Sequence, residues 1–500
     1  MRRALAAIVM ALAAGCASQP RPVTTVTPAL GPAPGVPVLQ AELDALFAVP
    51  AFSNAIWGVL VRSLKNGDTL YQQHAGTFLM PASNMKVVTM AVAAERLGWD
   101  FTFTTTLLAT GPIEHGVLKG DLVVVGSGDP SFGGRPPADV AVFDAWADEL
   151  RAKGITAIEG RIVGDDHAFD AEGLGAGWAW DYLSAGYATP VGALDYSENV
   201  VQVTLTPGPV AGAPAIIETR PDTSALVVDN RVRTVAAGGE SRVESTRLPG
   251  SRVLRMTGTV PIGRTDVTRT VSVDNPTELA VLALRRVLSA RGIPVGGDAI
   301  DIDELAAPPD LAGAQTLARY TSAPLSQIGK VMLKVSQNLY ADTLLKTLGK
   351  PARAGPASTA AGAAVVQDTL KAWGIAPDRY VMMDGSGLSR YNYLTPDVLV
   401  TILTRMASDD RHKTLFADAL PVAGVDGTIA GRMKNTKAQG NARAKTGSIS
   451  NARALSGYVT SADGEPLVFS MIVNNFNVPQ SDADAVIDRA VVRLAEFRRR

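Results

Sequence analysis

The 500-residue sequence predicts a mixed α/β (α+β) protein in which a domain of strands and helices is interrupted by a β-rich insertion. The length exceeds what one hydrophobic core usually organises, so more than one domain is expected. Short segments of alternating apolar and polar residues dominate residues 100–311, whereas helical spacing prevails on both sides. The chain therefore predicts one domain made of residues 39–99 and 312–500, with residues 100–311 inserted into it.

The composition excludes several classes of function. Lys and Arg number 47 against 48 Asp and Glu, so bulk charge favours neither nucleic acid nor an anionic surface as a partner. With one cysteine, four scattered histidines and no H-E-x-x-H motif, the chain offers no Cys/His zinc site. We therefore expect no metal and no cofactor.

The N-terminus carries an export signal. Arg2-Arg3 precedes an apolar stretch that is too short to cross a bilayer. It ends in Leu12-Ala13-Ala14-Gly15-Cys16, which resembles the bacterial lipoprotein signal, in which the cysteine is lipidated, although Ala13 stands where that pattern prefers Leu. An ordinary signal peptide cleaved after Ala17 is the alternative. Residues 1–16 are thus predicted to be the signal and Cys16 the lipidation site of an exported protein.

A proline-rich tether is predicted for residues 17–38, and the folded part begins with helical spacing near Leu39. The apolar segment 57–64 then predicts a buried strand that turns at Asn66-Gly67 into a second strand. Good helix formers follow Pro81 and stop at Gly98, so a helix is expected between them.

Ser83 falls in the first turn of that helix, three residues before Lys86. Residues three apart lie on one face of a helix, within reach of each other. A serine hydroxyl needs an adjacent base to become a nucleophile, and burial lowers the pKa of a lysine toward that role. Alone, however, the S-x-x-K pattern is also typical of a capped helix with a surface lysine.

Within the insertion, the pattern predicts strands such as 101–109, 121–125 and 200–205. Helices are expected from Asp139 to Lys153 and, with Asn275 as its cap, up to Gly292. A smaller module is predicted to be nested at residues 196–262. Gly126-Ser127-Gly128-Asp129-Pro130 lacks the G-K-[ST] of a phosphate loop and is interpreted as a turn.

After the insertion, helical spacing over 324–333 and 339–348 frames a short loop that contains Ser336-Gln337-Asn338. By itself this S-x-N is equally typical of a helix cap. Three apolar strands are predicted at 441–450, 455–460 and 467–474, followed by a helix capped at Ser481. The first strand holds Lys445-Thr446-Gly447-Ser448, whose Thr and Gly leave the backbone approachable by an extended ligand.

Together, S-x-x-K, S-x-N and K-T-G in this order are the signature of penicillin-binding proteins and serine β-lactamases. The first two motifs are separated by 253 residues, from Ser83 to Ser336, and the last two by 109, from Ser336 to Lys445. A large β-rich insertion between the first two resembles the D-alanyl-D-alanine carboxypeptidase/endopeptidase family related to penicillin-binding protein 4 (peptidase family S13). The resemblance runs from Leu39 to the C-terminus and includes Asp384-Gly385-Ser386-Gly387-Leu388.

This resemblance implies a penicillin-binding/β-lactamase-like transpeptidase domain, an antiparallel sheet flanked by helices, interrupted by β-rich inserted domains. It implies that Ser83 attacks the carbonyl between two D-alanines, that Lys86 takes its proton, and that Ser336 relays a proton to the leaving amine. Backbone N–H groups of Ser83 and Ser448 are the expected oxyanion hole. The implied substrate-binding residues are Asn338, Lys445, Thr446, Gly447 and Ser448, and Gln337 stands where Asp is commoner.

The implied partners are peptidoglycan peptides, β-lactam antibiotics as covalent inhibitors, and a membrane reached through the N-terminal lipid, which places the protein in the periplasm. Two alternatives stay open, a serine β-lactamase and a non-catalytic penicillin-binding cell-wall protein. The first has much shorter chains between the motifs, and the second would be expected to lose a motif. Because the insertion lies between two motifs that must meet, we expect it to overhang the cleft and restrict access without touching the chemistry.

Overall fold

A computed structural model describes residues 35–135, 138, 139, 141–265, 267–350 and 355–499. The predicted signal segment, Cys16 and the tether up to residue 34 lie outside the described residues. The α-helices of the described chain are α1 Val36–Phe47, α2 Met85–Leu97, α3 Val142–Ala152, α4 Pro276–Ala290, α5 Leu325–Lys334, α6 Asn338–Leu348, α7 Thr359–Ala372, α8 Pro396–Ser408, α9 Lys413–Ala419 and α10 Gln480–Glu496.

The first sheet is antiparallel and has five strands, which stand in the order Thr69–Gln73, Ile56–Ser63, Pro466–Asn474, Ala452–Thr460 and Arg443–Ile449. Its first two strands precede the insertion and the other three follow it. Val59 pairs with Met471 in the centre of the sheet, so strands from both separated parts of the chain share one sheet. The Asn66-Gly67 turn lies between the first two strands as predicted, with Gly67 at φ 80°.

Helices cover both faces of this sheet. On one face α2 is enclosed by α5, α6, α7 and α8, and each of its residues from Met85 to Ala94 is buried. On the other face α1 and α10 pack over a second apolar core. The fold class predicted from the sequence, an antiparallel sheet flanked by helices, is confirmed.

The second sheet belongs to the insertion and stands in the order Ala299–Asp301, Ile162–Asp165, Leu122–Val125, Thr104–Ala109 and Gln315–Thr321. Its first three strands are parallel, and the last two are antiparallel to their neighbours. Helices α3 and α4 pack on it through a separate apolar core. Since Gln315–Thr321 pairs with Thr104–Ala109, this sheet extends beyond residue 311, the predicted end of the insertion.

Two three-stranded sheets form a smaller nested unit. One has the order Ile216–Arg220, Val200–Thr206, Val267–Ser272, and the other has the order Val227–Val235, Val253–Pro261, Arg242–Thr246. Their facing side chains share an apolar core. The unit includes one strand more than the predicted module 196–262, because Val267–Ser272 pairs with Val200–Thr206.

Local signals succeeded where a side chain caps a helix and failed where none does. Asn275 accepts a hydrogen bond from the backbone N–H of Glu278 at 2.8 Å, which caps α4 as predicted. The predicted cap at Ser481 is wrong, because α10 begins at Gln480 after Pro479 without a side-chain cap.

Short strands complete the described chain at Ile113–Glu114, Val117–Leu118, Gly134–Arg135, Ala138–Asp139, Ala157–Ile158, Tyr380–Val381 and Tyr393–Leu394.

Among the described helices, none combines the length and the apolar character needed to cross a membrane.

Candidate active site

The predicted Ser83–Lys86 pair forms at the start of α2. Ser83 lies in a single 3₁₀ turn, Ala82–Asn84, and α2 itself begins at Met85, two residues later than the serine. Lys86 donates a hydrogen bond to Ser83 Oγ at 3.0 Å. Ser83 is only partly buried whereas Lys86 is fully buried, so a hydroxyl that a substrate can reach is held by a lysine that water cannot reach.

The Lys86 ammonium has two further acceptors. Its Nζ donates to Asn338 Oδ1 at 2.6 Å and to the backbone oxygen of Ser386 at 2.7 Å. Burial lowers the pKa of Lys86 to about 8, and the charges of Asp342 and Asp384 oppose part of this shift. A lysine with that pKa exists partly as the neutral amine near neutral pH, which is the state a general base requires.

Ser336 and Lys445 form a second pair. Ser336 has φ 62°, in the left-handed region, between α5 and α6. Lys445 donates to Ser336 Oγ at 2.8 Å and to the backbone oxygen of Thr446 at 2.8 Å. Burial, and then the charge of Lys86, hold the pKa of Lys445 well below its usual value. An anion bound beside Lys445 would reverse this shift by restoring a compensating charge.

Asn338 is the first residue of α6, and both ends of its side-chain amide are bonded within the protein. Its Oδ1 accepts from Lys86, and its Nδ2 donates to the backbone oxygen of Tyr187 at 2.7 Å. The neighbouring Gln337 donates from Nε2 to Glu198 Oε2 at 2.6 Å. Tyr187 and Glu198 belong to the insertion, so the insertion contacts the S-x-N segment directly.

Arg443–Ile449, the strand of the third motif, is the outermost strand of the first sheet. An outer strand offers backbone groups to an extended peptide. Thr446 Oγ1 donates to Thr428 Oγ1 at 2.8 Å, and Ser448 accepts a hydrogen bond from the Arg453 guanidinium. A Cβ on Gly447 would lie 2.4 Å from the backbone oxygen of Pro81, so only glycine lets this strand pack on the turn that carries Ser83.

The loop that follows the strand Tyr380–Val381 completes the site. Asp384 accepts hydrogen bonds from the backbone N–H groups of Gly387, at 2.7 Å, and Ser389, at 2.6 Å. Its carboxylate also accepts from Asn392 Nδ2 at 2.7 Å and, from the insertion, Trp178 Nε1 at 2.9 Å. This network holds the loop against the Ser83 turn and beside Lys86.

Sequence reasoning assigned no role to Asp342, Asp384, Trp178, Tyr187 or Glu198. For Asp342 the sequence did offer a signal, because this residue stands four positions after Asn338 on one helix and therefore on the same face.

Two groups of side chains could hold a metal ion in the described chain, and neither includes a residue of the Ser83 site. They are Glu95, Asp409 and His412, and Asp166, Asp301 and Asp303.

A serine held by a buried lysine, a serine and an asparagine between two helices, and a Lys-Thr-Gly edge strand define an active-site-serine penicillin-binding protein. The chain belongs to the D-Ala-D-Ala carboxypeptidase 3 (S13) family, whose family model matches residues 39–497. It is a serine-type peptidase, and the function predicted from the sequence, D-Ala-D-Ala carboxypeptidase, is confirmed. The β-lactamase and the non-catalytic alternatives are not favoured.

Curated relatives align with nearly the whole chain. It is 35% identical over 492 residues to a D-alanyl-D-alanine carboxypeptidase of Actinomadura sp. (strain R39), covering 96% of this chain and 88% of that protein. It is 28% identical over 464 residues to the D-alanyl-D-alanine carboxypeptidase DacB of Haemophilus influenzae, with coverage of 91% and 92%.

The solved structures agree with the fold. The crystal structure of penicillin binding protein 4 (dacB) from Haemophilus influenzae matches with a TM-score of 0.77 and 26% identity, over 91% of this chain and 98% of that one. The same protein complexed with a novel β-lactam matches with a TM-score of 0.71 and 25% identity, with the same coverage.

Proposed function

We propose that Ser83 is the nucleophile of this carboxypeptidase and that Lys86 is its general base. The observation that carries the proposal is the 3.0 Å hydrogen bond between a partly exposed serine and a fully buried lysine of lowered pKa. Serine hydroxyls act as nucleophiles when an adjacent base accepts their proton.

In the proposed reaction, Ser83 Oγ bonds to the carbonyl carbon between two D-alanines of a peptidoglycan stem peptide, and its proton moves to Lys86 Nζ. Ser336 then relays this proton from Lys86 to the leaving nitrogen as the peptide bond breaks, so that Lys86 is neutral again. Water later hydrolyses the acyl-enzyme by giving its proton to Lys86 as it attacks the carbonyl carbon, and that proton returns to Ser83 Oγ when the ester bond breaks. Removal of a terminal D-alanine and cleavage of a D-alanine cross-link attack the same kind of carbonyl, so one acyl-enzyme serves both.

The remaining motif residues bind the substrate in this proposal. Lys445 and Thr446 receive the terminal carboxylate, which restores the charge of the buried lysine. Backbone N–H groups of Ser83 and Ser448 stabilise the oxyanion. For Asn338 we propose a role in orienting Lys86 as well as in binding the substrate amide, because its Oδ1 accepts from Lys86 Nζ while its bond to the Tyr187 carbonyl uses only one of the two N–H groups at Nδ2.

The test is covalent labelling by a fluorescent penicillin, since a β-lactam acylates the same serine. Ser83→Ala should abolish labelling and D-alanine release while the protein stays folded, because the attachment point is gone. Ser481→Ala, which removes an exposed serine hydroxyl at the start of α10, should leave both unchanged. A mass increase of one penicillin on the Ser83→Ala protein would refute the assignment of the nucleophile.

We also propose that the protein is held on a membrane by lipid on Cys16. One acyl chain gives marginal binding, whereas the several chains of a lipoprotein terminus hold firmly. Wild-type protein expressed in a bacterium should therefore partition into detergent, whereas Cys16→Ser protein should stay in the aqueous phase. A mature N-terminus at Ser18 would show instead that an ordinary signal peptide is removed.

A further inference from the structure

Asp342 is a buried carboxylate that faces the Lys86 side of the site from α6, one turn after Asn338. Its Oδ1 accepts hydrogen bonds from the backbone N–H groups of Gly385, at 2.7 Å, and Ser386, at 3.0 Å. The backbone oxygen of Ser386 in turn accepts from Lys86. The backbone N–H of Ser386 is therefore held by Asp342, while its backbone oxygen accepts a hydrogen bond from Lys86.

We propose that Asp342 is a positioning residue for the reaction, whose negative charge stabilises the ammonium that forms on Lys86 when the lysine takes the proton of Ser83. This inference rests on the proposed function of the Ser83–Lys86 pair. A fixed charge among buried groups acts over several ångströms at low cost of reorganisation. In a Ser-His-Asp triad the carboxylate orients the base and stabilises its protonated form. Asp342 would do the same for Lys86, orienting it through Ser386 and stabilising the ammonium through space.

Three charged groups act on or beside Lys86, and Asp342 is the one whose removal can be interpreted most simply. The carboxylate of Asp384 accepts hydrogen bonds from four donors and so holds the loop in place. Lys445, on the edge strand, is a cation that lies against Ser336. Asp342 accepts two backbone N–H groups at Oδ1, and its Oδ2 is buried without a hydrogen-bond partner in the described chain.

The pKa shifts agree with this geometry. Burial lowers the pKa of Lys86, and the Asp342 charge is the largest influence that raises it again. Burial raises the pKa of Asp342 to about 8, with the charge of Asp384 adding to the shift and that of Lys86 opposing it. The two groups thus titrate as a pair, and acylation requires both to be deprotonated.

The experiment compares the pH profiles of penicillin acylation for wild type, Asp342→Asn and Asp342→Ser, using the full-length protein. Both substitutions remove the charge, and Asn also keeps an oxygen at the position that accepts from the loop N–H groups. Without the carboxylate the pKa of Lys86 falls, so the acid limb of the profile should move to lower pH by about one unit or more. At high pH the rate should fall by roughly 10–100-fold, because the ammonium loses its partner.

Asp195→Asn is the matched control. Asp195 is another fully buried aspartate, with a partnerless Oδ2 in the described chain, but it bonds to Gly192 and Asn199 within the insertion. Its variant should keep the wild-type position of the acid limb even if its stability drops. Asp342→Glu should restore the limb toward wild type, which loss of packing alone would not produce.

The outcomes separate this inference from the proposed function. An acid limb that stays at the wild-type pH in both neutral variants, while labelling still depends on Ser83, would overturn the role of Asp342 alone. Labelling that persists in Ser83→Ala would overturn the proposed function and this inference with it.

Discussion

Lys86 is a fully buried amine with three acceptors, the oxygens of Ser83, Asn338 and Ser386. A buried ammonium without partners would be costly, and these bonds make its burial tolerable. Desolvation still lowers its pKa, so the residue is poised between the charged and the neutral form. The chemistry of the site therefore depends on whether Lys86 carries a proton.

The wild-type acylation rate should rise with pH through about 8, the pKa of Lys86. The sign follows from the role, because the lysine is an effective base only when it is neutral, and its neutral fraction grows as pH rises through its pKa. The measurement is the second-order rate of penicillin acylation at fixed ionic strength, with melting temperatures taken in the same buffers. A rate independent of pH across this range, in protein that stays folded, would contradict the assignment of the base.

Gly387 is a glycine that the site requires. It has φ 85°, and a Cβ there would lie 1.8 Å from the backbone oxygen of Ala82, in the turn that carries Ser83. Gly387→Ala should therefore displace this turn and reduce the acylation rate at least about tenfold, because misplacing a catalytic group by about 1 Å is costly. It should also lower the stability of the protein. Penicillin labelling kinetics measure the effect on acylation.

Gly374→Ala is the control for this substitution. Gly374 also has positive φ, 81°, but a Cβ there meets nothing within 4 Å. It should cost only the backbone strain, about 1 kcal/mol, and leave acylation unchanged. Equal acylation rates in the two variants would show that the contact with Ala82 does not matter.

At the scale of elements, the insertion supports the site more closely than its sequence indicated. We expected it to restrict access without touching the chemistry, yet Tyr187 and Glu198 bond to the S-x-N segment and Trp178 bonds to Asp384. These contacts involve none of Ser83, Ser336 and Lys445, so the expected restriction of access stays a prediction, but they join the insertion to residues beside the catalytic groups. Removal of residues 100–311 would therefore take away the hydrogen-bond partners Tyr187, Glu198 and Trp178 as well as any restriction of access to the site.

Trp178→Phe tests this support. The change removes the N–H that donates to Asp384 and keeps most of the ring, so the charged carboxylate loses one of its four donors. A hydrogen bond to a charged group contributes about 1.5–3 kcal/mol, so we expect a stability loss of that order and acylation slowed several-fold. Penicillin labelling kinetics and denaturant titrations measure the two effects.

Trp180→Phe is the matched control, since the side chain of Trp180 is 61% exposed two residues away. It should alter neither stability nor the acylation of a small penicillin. If both tryptophan variants behave alike, the Trp178–Asp384 bond does not support the site.

At the scale of the whole molecule, the two ends of the folded chain meet behind the first sheet. Helix α1 packs against α10, and fully buried Arg493 forms an ion pair with Glu42. The Nη1 and Nη2 atoms of Arg493 have no hydrogen-bond partner in the described chain. Glu42 is therefore the anion that compensates a buried cation.

Glu42→Gln should lower the free energy of unfolding by about 3 kcal/mol, the lower end for a broken buried pair, because Glu42 is itself 24% exposed. Asp410→Asn, which breaks the exposed pair with Lys413, should cost less than about 0.5 kcal/mol. Urea denaturation measures both. A cost for Glu42→Gln as small as that of the surface variant would mean that Arg493 finds other compensation.

Features that depend on local spacing could be predicted from the order of the residues. The Asn66-Gly67 hairpin, the Asn275 cap and the Ser83–Lys86 pair each involve residues within a few positions of one another, where turn and helix geometry leave little choice. The order of the three motifs and the β-rich insertion also carried the resemblance to the S13 family, and that resemblance implied the fold class and the peptidase activity.

The distant residues that support the Ser83–Lys86 pair became evident from the three-dimensional packing. Tyr187 lies 151 residues from its partner Asn338, Glu198 lies 139 residues from Gln337, and Trp178 lies 206 residues from Asp384. No local pattern predicts such pairs, because they form only when parts of the chain that are distant in sequence pack together. The strand Gln315–Thr321 joined the insertion for the same reason, since a strand belongs to the sheet that offers it a free edge, wherever its residues lie in the chain.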